Sequence, residues 1–219
     1  MRLRKRSWVK EELMGSLNYF IESPEEHKGN WGKVFNNLNP IHAELGTGRG
    51  NFITTYASDY PTINFIAIEK RQEVLVQALR KAKLLGLTNI RFVLGDVNDA
   101  LNFFAENEIA CIYLNFVDPW PKTRHAKRRL THNRFLTMYR HILNNIGEIH
   151  LKTDNEQLFE FSLNELSKND FKLNDISLNL YRNQENFNNH IQTEYEKKFI
   201  KLGKPIYRLE ATSKNKESI

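Results

Sequence analysis

From residue 41 onward, short apolar runs alternate with longer stretches in which apolar side chains recur at helical spacing. Five apolar runs have the length and composition of buried strands: residues 41–45, 63–68, 90–94, 110–116 and 148–152. Helical patterns follow them at residues 51–58, 72–85, 97–105, 131–143 and 157–168. This alternation is typical of parallel strands joined by crossover helices, so it predicts an α/β fold with helices on both faces of the sheet.

The two ends of the chain follow other patterns. Beyond residue 169, strand-like runs at 172–178 and 206–212 enclose a polar stretch rich in Asn, Gln and Glu, which predicts an antiparallel hairpin with a long connection. The sheet then has seven strands, most of them parallel. Near the start we predict a short helix at 13–21 and a loop at 24–31. We expect one domain over residues 1–219, with an extension (1–40), a core (41–213) and a flexible tail (214–219).

Composition narrows the class of protein. The 219 residues include one cysteine, Cys111, so no disulfide can form within the chain, and its apolar surroundings indicate a small buried side chain. No long apolar segment follows the N-terminus, so we expect a cytoplasmic protein without a signal peptide or a membrane span. The net charge of +6 and the pI near 9.3 favour a polyanionic partner.

The run 41–45 leads directly into a glycine-rich segment, GTGRG at residues 46–50, and then into a helical pattern. Gly46 and Gly48 let a ligand approach the backbone at the start of a helix, although a tight turn that binds no ligand can have the same sequence. A nicotinamide dinucleotide would require a third glycine at position 51, which is Asn51. The spacing, with Glu44 before it, resembles the first motif of Rossmann-like methyltransferases, whose cofactor is S-adenosylmethionine.

Acidic residues stand at the ends of three predicted strands. Glu44 is the last residue but one of the first. Glu69 comes directly after the second and 23 residues after Gly46, and Asp96 comes shortly after the third. A nucleotide-binding fold places an acid at about the position of Glu69 to accept hydrogen bonds from ribose hydroxyls. One such acid is usually a cap or a turn residue, but three beside a glycine loop predict a cofactor crevice.

The fourth strand leads into the segment VDPWPK at residues 117–122. The carboxyl end of this strand should face the transferable group, so we expect Asp118 at the reaction centre. Two prolines stiffen the loop around Trp120, on whose flat face a base could stack for about 1 to 3 kcal/mol. The alternative is a rigid turn with Trp120 packed into the core.

A basic run continues from this loop and is followed by Leu130. It begins at Lys122, and its candidate RNA-binding residues are Arg124, His125, Ala126, Lys127, Arg128 and Arg129. Such a density of charge binds DNA, RNA or only solvent, but its position beside the expected reaction centre favours a nucleic acid. Looped RNA fits best, because a base must leave its stack before chemistry can reach it. A second basic run, at residues 2–10, is equally consistent with a solvated tail.

With its DPWPK segment and the basic continuation, the chain resembles the bacterial tRNA (guanine-N7-)-methyltransferase family, the TrmB type. The likeness covers nearly the whole chain and also rests on segments 44–50, 67–69, 152–155 and 193–196. It implies a Rossmann-like class I methyltransferase fold and transfer of a methyl group from S-adenosylmethionine to N7 of guanine-46 in the variable loop of tRNA. The chain departs from the family pattern at Val117, where serine is expected, and at Thr123, where a second lysine is common.

The resemblance also implies roles for residues. Glu44, Glu69, Asp96 and Asp118 would line the cofactor site, and a second set would meet the substrate: Lys122, Asp154, Thr193, Glu194, Tyr195 and Glu196. Guanine N7 carries a lone pair and no proton, so we expect Asp118 to stabilise the developing positive charge rather than act as a base. One carboxylate of the second set would accept hydrogen bonds from guanine N1–H and the 2-amino group. We expect no metal.

Three alternatives remain open at this stage. The chain could methylate an exocyclic amino group, because DPWP resembles the acid-proline-proline-aromatic motif of such enzymes. It could be an RNA-binding module without catalysis, although its intact acids argue against that. A nicotinamide oxidoreductase is the weakest alternative, because of the glycine spacing. Monomer and homodimer are both compatible with the sequence.

Overall fold

The computed structural model describes residues 7–182 and 191–213, and one eight-stranded sheet organises them. The strands are β1 Phe20–Ile21, β2 Ile41–Leu45, β3 Asn64–Glu69, β4 Ile90–Leu94, β5 Ile109–Asn115, β6 Leu143–Thr153, β7 Phe171–Ser177 and β8 Tyr207–Ser213. Their order is β1-β4-β3-β2-β5-β6-β8-β7. The first six strands in this order pair in parallel, whereas β8 is antiparallel to both β6 and β7.

Helices cover both faces of this sheet. They are α1 Ser7–Met14, α2 Trp31–Phe35, α3 Asn51–Asp59, α4 Gln72–Leu84, α5 Ala100–Phe103, α6 Asn133–Ile142, α7 Glu156–Lys168 and α8 Glu194–Lys201. Alternate residues of β3 point to opposite faces. Ile66 and Ile68 belong to a core cluster with Tyr139 of α6, whereas Phe65 belongs to a second cluster with Leu79 of α4. None of the described helices is long and apolar enough to cross a membrane.

The α/β class, the mostly parallel sheet, the antiparallel C-terminal strands and the helices on both faces are confirmed. The count of seven strands was wrong, because β1 adds an eighth at the edge. Its two residues, Phe20 and Ile21, pair with Phe92 and Val93 of β4. A two-residue strand is too short to show a period of two, so these buried residues were read as the end of a helix at 13–21. The helix at this end of the chain is instead Ser7–Met14, which overlaps the prediction only at Leu13 and Met14.

Several other boundaries differ from prediction. The predicted loop 24–31 contains a 3₁₀ turn, Pro24–His27, and ends where α2 begins; the indole N–H of Trp31 donates to the carbonyl oxygen of Phe103 at 2.9 Å. The predicted helix 97–105 is a 3₁₀ turn, Val97–Asp99, followed by the short α5. The polar connection before β8 contains α8, and no helix was predicted there from its sequence. Residues 1–6, 183–190 and 214–219, including the predicted tail, lie outside the described residues.

Candidate cofactor and RNA site

The loop after β2 leaves its backbone open at two glycines. Gly46 and Gly48 have φ values of +84° and +58°, and a Cβ built at either one would meet nothing within 4 Å. Gly50, with φ of +76°, differs, because a Cβ there would come within 2.4 Å of the Cβ of Ala78 in α4. Gly50 is therefore required for packing of α4, whereas Gly46 and Gly48 border space that a ligand can enter.

Glu44, in β2, is the most deeply buried acid of this edge, with 3% of its surface exposed. One carboxylate oxygen accepts from the hydroxyl of Thr47 at 2.5 Å, and the other accepts from the side-chain amide of Asn115 at 2.9 Å. Burial raises the pKa of Glu44 to about 7, against the lowering effect of these two hydrogen bonds. The fold thus holds a carboxyl group that a cationic ligand would ionise.

Glu69 and Asp96 stand at the carboxyl ends of β3 and β4, the next two strands beyond β2 in the sheet. The Glu69 carboxylate accepts from the backbone N–H of Gly48 at 3.1 Å and of Arg71 at 3.0 Å, which ties it to the glycine loop. Asp96 is exposed and accepts from the backbone N–H of Asn98 at 2.9 Å. The carboxyl ends of parallel strands meet at one edge of a sheet, so the structure brings all three predicted acids to the same edge.

The loop after β5 carries Asp118, which is exposed. Within the part of the chain that the structure describes, no group donates a hydrogen bond to its carboxylate. Phe116 and Trp120 on either side have positive φ values of 51° and 44°, uncommon for residues with large side chains. The carbonyl oxygen of Trp120 accepts from the guanidinium of Arg129 at 3.1 Å. The loop is therefore held in a strained conformation that leaves Asp118 free toward solvent.

The predicted basic run forms a 3₁₀ turn, Thr123–Arg128, and its residues occupy two kinds of environment. Exposed cations are provided by Lys122, Arg124, Lys127 and Arg128, whereas His125 and Ala126 are half-buried. The guanidinium of Arg128 lies 4.8 Å from the centre of the Trp120 ring. Arg129 is buried and lies over the ring of Phe161 at 4.4 Å. Four cations can therefore reach a phosphate directly, while Arg129 is engaged within the protein.

The predicted substrate segment 193–196 begins α8. The side chain of Thr193 caps the helix, and Tyr195 is 55% exposed and stacks on Phe116 at 6.0 Å. The carboxylate of Glu196 is buried, and Tyr181 is one of its donors, at 2.8 Å. The side chain of Glu194 lies outside what the structure describes. Asp154 follows β6, is half-buried and has a carboxylate oxygen 3.4 Å from Nζ of Lys204.

Sequence reasoning assigned no role to the polar residues that support these side chains. Asn115 binds Glu44, and Lys152 and Tyr181 bind Glu196. Asn115 and Lys152 had a detectable signal, because each is a polar residue at the end of an apolar strand. Tyr181 had none, since its partner comes from another part of the chain.

A second polar group lies on β5 and β6, toward the amino end of β5 and away from the carboxyl edge. Donor atoms of Cys111, Glu148 and His150 lie within 4.8 Å of one another. Nε2 of His150 is 2.7 Å from a Glu148 oxygen, and Nδ1 is 3.4 Å from Glu210. The first of these contacts is a hydrogen bond, and the second is a longer ion-pair contact. Cys111 is buried as predicted, but its surroundings are more polar than the apolar run indicated.

Comparison with known proteins identifies the relatives of the chain. A family model described as "Putative methyltransferase" matches residues 38–209. The tRNA (guanine-N(7)-)-methyltransferase of Clostridioides difficile (strain 630) is 48% identical over 216 residues, 98% of this chain and 100% of that protein. The protein of the same name from Halalkalibacterium halodurans is 45% identical over 217 residues, 99% of this chain and 98% of that protein.

Solved structures extend the comparison to the fold. The 16S rRNA methyltransferase KamB has a TM-score of 0.62 and 13% identity, covering 85% of this chain and 93% of that one. An antibiotic-related methyltransferase has a TM-score of 0.60 and 17% identity, with the same coverage of both chains. At such identities the likeness concerns the fold, which is that of S-adenosylmethionine-dependent methyltransferases, as predicted.

Proposed function

Since this chain belongs to the bacterial tRNA (guanine-N(7)-)-methyltransferase family, we propose that the guanosine it methylates is guanine-46, in the variable loop of tRNA. The enzyme transfers a methyl group from S-adenosylmethionine to N7 of a guanine in tRNA. The observation that supports this activity is the coincidence, at one sheet edge, of an open glycine loop, buried acids and an exposed carboxylate followed by a basic turn. Position 46 is proposed from the resemblance to the family.

The cofactor fits the β2–β4 edge. S-adenosylmethionine, when bound, supplies a methyl group already activated by a positively charged sulfur. Gly46 and Gly48 leave room for it beside the backbone, and Glu44, Glu69 and Asp96 provide carboxylates for its ammonium and ribose hydroxyls. A cation beside Glu44 would favour the ionised carboxyl and so offset the effect of burial.

Asp118 is our candidate for the group beside the reacting atoms. Guanine N7 attacks with an in-plane lone pair, so no proton has to be removed and no Lewis acid is needed. The ring becomes cationic during attack, and the exposed carboxylate of Asp118 would stabilise that charge or orient the base. Alignment of two bound reactants contributes roughly 7 to 11 kcal/mol to such reactions, so positioning supplies most of the rate enhancement.

Guanine has to be distinguished from adenine by its N1–H and 2-amino donors. Among the predicted acids with described side chains, Asp154 is better suited to accept from them than Glu196. Both oxygens of Glu196 already accept hydrogen bonds inside the protein, whereas Asp154 is half-buried and has one weak contact with Lys204. An acceptor left unpaired by adenine would disfavour the wrong base by about 1 to 3 kcal/mol.

The tRNA backbone would be held by the exposed cations of the basic turn, Lys122, Arg124, Lys127 and Arg128. Arg129 would act indirectly by holding the carbonyl of Trp120. We further propose that residues 1–219 form a single methyltransferase domain, acting in the cytoplasm as a monomer or a homodimer without a metal. The single domain is supported by the continuous sheet, because β2 near its start and β8 near its end belong to the same sheet.

Transcripts with single substitutions test the target position. Purified protein is incubated with labelled S-adenosylmethionine and an unmodified tRNA transcript, and with the same transcript carrying adenine in place of guanine-46. We expect label in the first and background in the second. Equal label in both would refute guanine-46, and label in an exocyclic amino product would assign the chain to the other class of RNA methyltransferase.

A further inference from the structure

A buried ion pair joins the end of β6 to the start of α8. Nζ of Lys152 lies 3.0 Å from a carboxylate oxygen of Glu196, and the exposed fractions of the two side chains are 9% and 0%. The same oxygen accepts from the hydroxyl of Tyr181 at 2.8 Å, and the other accepts from the backbone N–H of Thr193 at 2.7 Å. An unpaired carboxylate at this depth would be strongly unfavourable, so the ammonium of Lys152 is what allows Glu196 to be there.

Lys152 also lies beside the residue that binds the first cofactor acid. It is the register partner of Asn115 across β5 and β6, and the Asn115 amide donates to Glu44 at 2.9 Å. The carbonyl oxygen of Lys152 accepts from the backbone N–H of Phe116 at 2.8 Å, and the ring of Phe116 stacks on Tyr195 of α8. One residue is thus connected to the cofactor acid, to the loop before Asp118 and to the substrate segment.

We propose that Lys152 is a positioning residue whose single positive charge serves two buried carboxylates, Glu196 of the substrate segment and Glu44 of the cofactor edge. It fixes segment 193–196 against the sheet, and it favours the form of Glu44 that attracts a cationic ligand. This inference rests on the proposed function, because it assumes that these two groups meet tRNA and S-adenosylmethionine.

The electrostatic surroundings of both groups agree with this role. Burial raises the pKa of Glu44 to about 7, Asn115 and Thr47 lower it by hydrogen bonding, the Glu69 carboxylate raises it, and the charge of Lys152 makes a smaller lowering contribution. Burial lowers the pKa of Lys152, while Glu196 and Glu210 raise it and Arg208 lowers it. Removal of the ammonium would therefore make Glu44 a weaker acid and leave Glu196 without its cation.

Three variants separate the two roles. Lys152→Met removes the charge, and Lys152→Met/Glu196→Gln also removes the buried anion, since a glutamine can accept from the Thr193 N–H and donate to the Tyr181 hydroxyl. Lys172→Met, at an exposed position of β7, is the control for loss of one positive charge. Calorimetry measures S-adenosylmethionine binding without tRNA between pH 6.5 and 9, kinetics give kcat and KM for tRNA, and thermal unfolding checks the fold.

We expect Lys152→Met to weaken S-adenosylmethionine binding mainly at low pH. If Glu44 becomes a weaker acid, its ionised fraction falls at pH 6.5 and hardly at all at pH 9, so the ratio of variant to parent Kd should be larger at pH 6.5 than at pH 9. The same variant should raise KM for tRNA. The double variant should recover KM for tRNA to within about threefold but keep the altered pH dependence, because it still lacks the ammonium.

A loss of S-adenosylmethionine affinity that is equal at all pH values, or full recovery of the pH dependence in the double variant, would refute the charge role at Glu44. An unchanged KM for tRNA in folded Lys152→Met would refute the positioning of segment 193–196. Failure of the proposed function looks different, because the parent protein would then not methylate tRNA although the pH dependence of S-adenosylmethionine binding could still be measured.

Discussion

Replacement of Glu44 by glutamine should make the ligand-free protein more stable and its cofactor binding weaker. The side chain keeps its size and its place between Thr47 and Asn115 but loses its charge. Burial raises the pKa of Glu44 from 4.5 to about 7. At about 1.4 kcal/mol for each tenfold change in acidity, this amounts to roughly 3 kcal/mol against the ionised form in the folded chain.

The direction of the change in the free energy of unfolding follows from the linkage between protonation and folding. A carboxyl group with a higher pKa in the folded than in the unfolded chain stabilises the fold at low pH, and this contribution is lost as the pH rises through its folded value, here about 7. Glu44→Gln should therefore raise the free energy of unfolding by up to about 3 kcal/mol at pH 8 and by about 1 kcal/mol or less at pH 5. Urea unfolding at the two pH values measures the difference.

The same variant lacks the carboxylate that would pair with the cofactor ammonium. A hydrogen bond to a charged group contributes about 1.5 to 3 kcal/mol, so S-adenosylmethionine should bind about 10- to 150-fold more weakly at pH 8. Asp96→Asn is the matched control for stability, because Asp96 is exposed and Asn caps a helix as well as Asp. Equal destabilisation of Glu44→Gln at pH 5 and pH 8, with unchanged cofactor affinity, would refute the reasoning.

Three further predictions concern the pH dependence, the glycine loop and the basic turn. In the unmodified protein, S-adenosylmethionine affinity should fall as the pH drops through about 7, where Glu44 takes up a proton; a flat calorimetric profile would contradict this. Gly50→Ala should lower the free energy of unfolding by about 2 to 5 kcal/mol, because its Cβ clashes with α4 and its φ is positive, whereas Gly86→Ala, with positive φ in open space, should lose about 1 to 2 kcal/mol. Lys127→Ala should remove about one phosphate contact and so make the plot of log binding constant against log salt concentration less steep by about one for tRNA. Arg129→Ala should weaken binding without changing that slope. Equal slopes for the two variants would refute the distinction.

The arrangement of the edge proposed for the cofactor was predictable because its signals are local in the sequence. Glu44 and Gly46 lie at the end of one apolar strand, and Glu69 lies at the end of the next. Because parallel strands end at the same edge of a sheet, the sequence alone predicts that these residues lie close together. The different roles of the glycines were not predictable. Gly50 and Gly46 are both glycines with similar positive φ values. Only the packing of α4 shows that the missing Cβ of Gly50 makes room for a helix.

Segment 193–196 is proposed to meet the substrate because of a resemblance, but its internal arrangement depends on tertiary contacts. Residues 194 and 196 are both glutamate, and nothing in the local sequence indicates that Glu196 is fully buried. Its partner Lys152 lies 44 residues earlier in the chain. Strand β1 was missed for a similar reason, because pairing with β4 defines a two-residue strand more than its own sequence does.

The identity of the methylated nucleoside tests the central claim most directly. Purified protein, labelled S-adenosylmethionine and unmodified tRNA are incubated, and the RNA is digested to nucleosides and separated by charge and mass. We predict that the label is in N7-methylguanosine, which carries a fixed positive charge, and that Asp118→Ala greatly reduces it while S-adenosylmethionine still binds. Label in an uncharged product such as N2-methylguanosine or N6-methyladenosine would contradict the account.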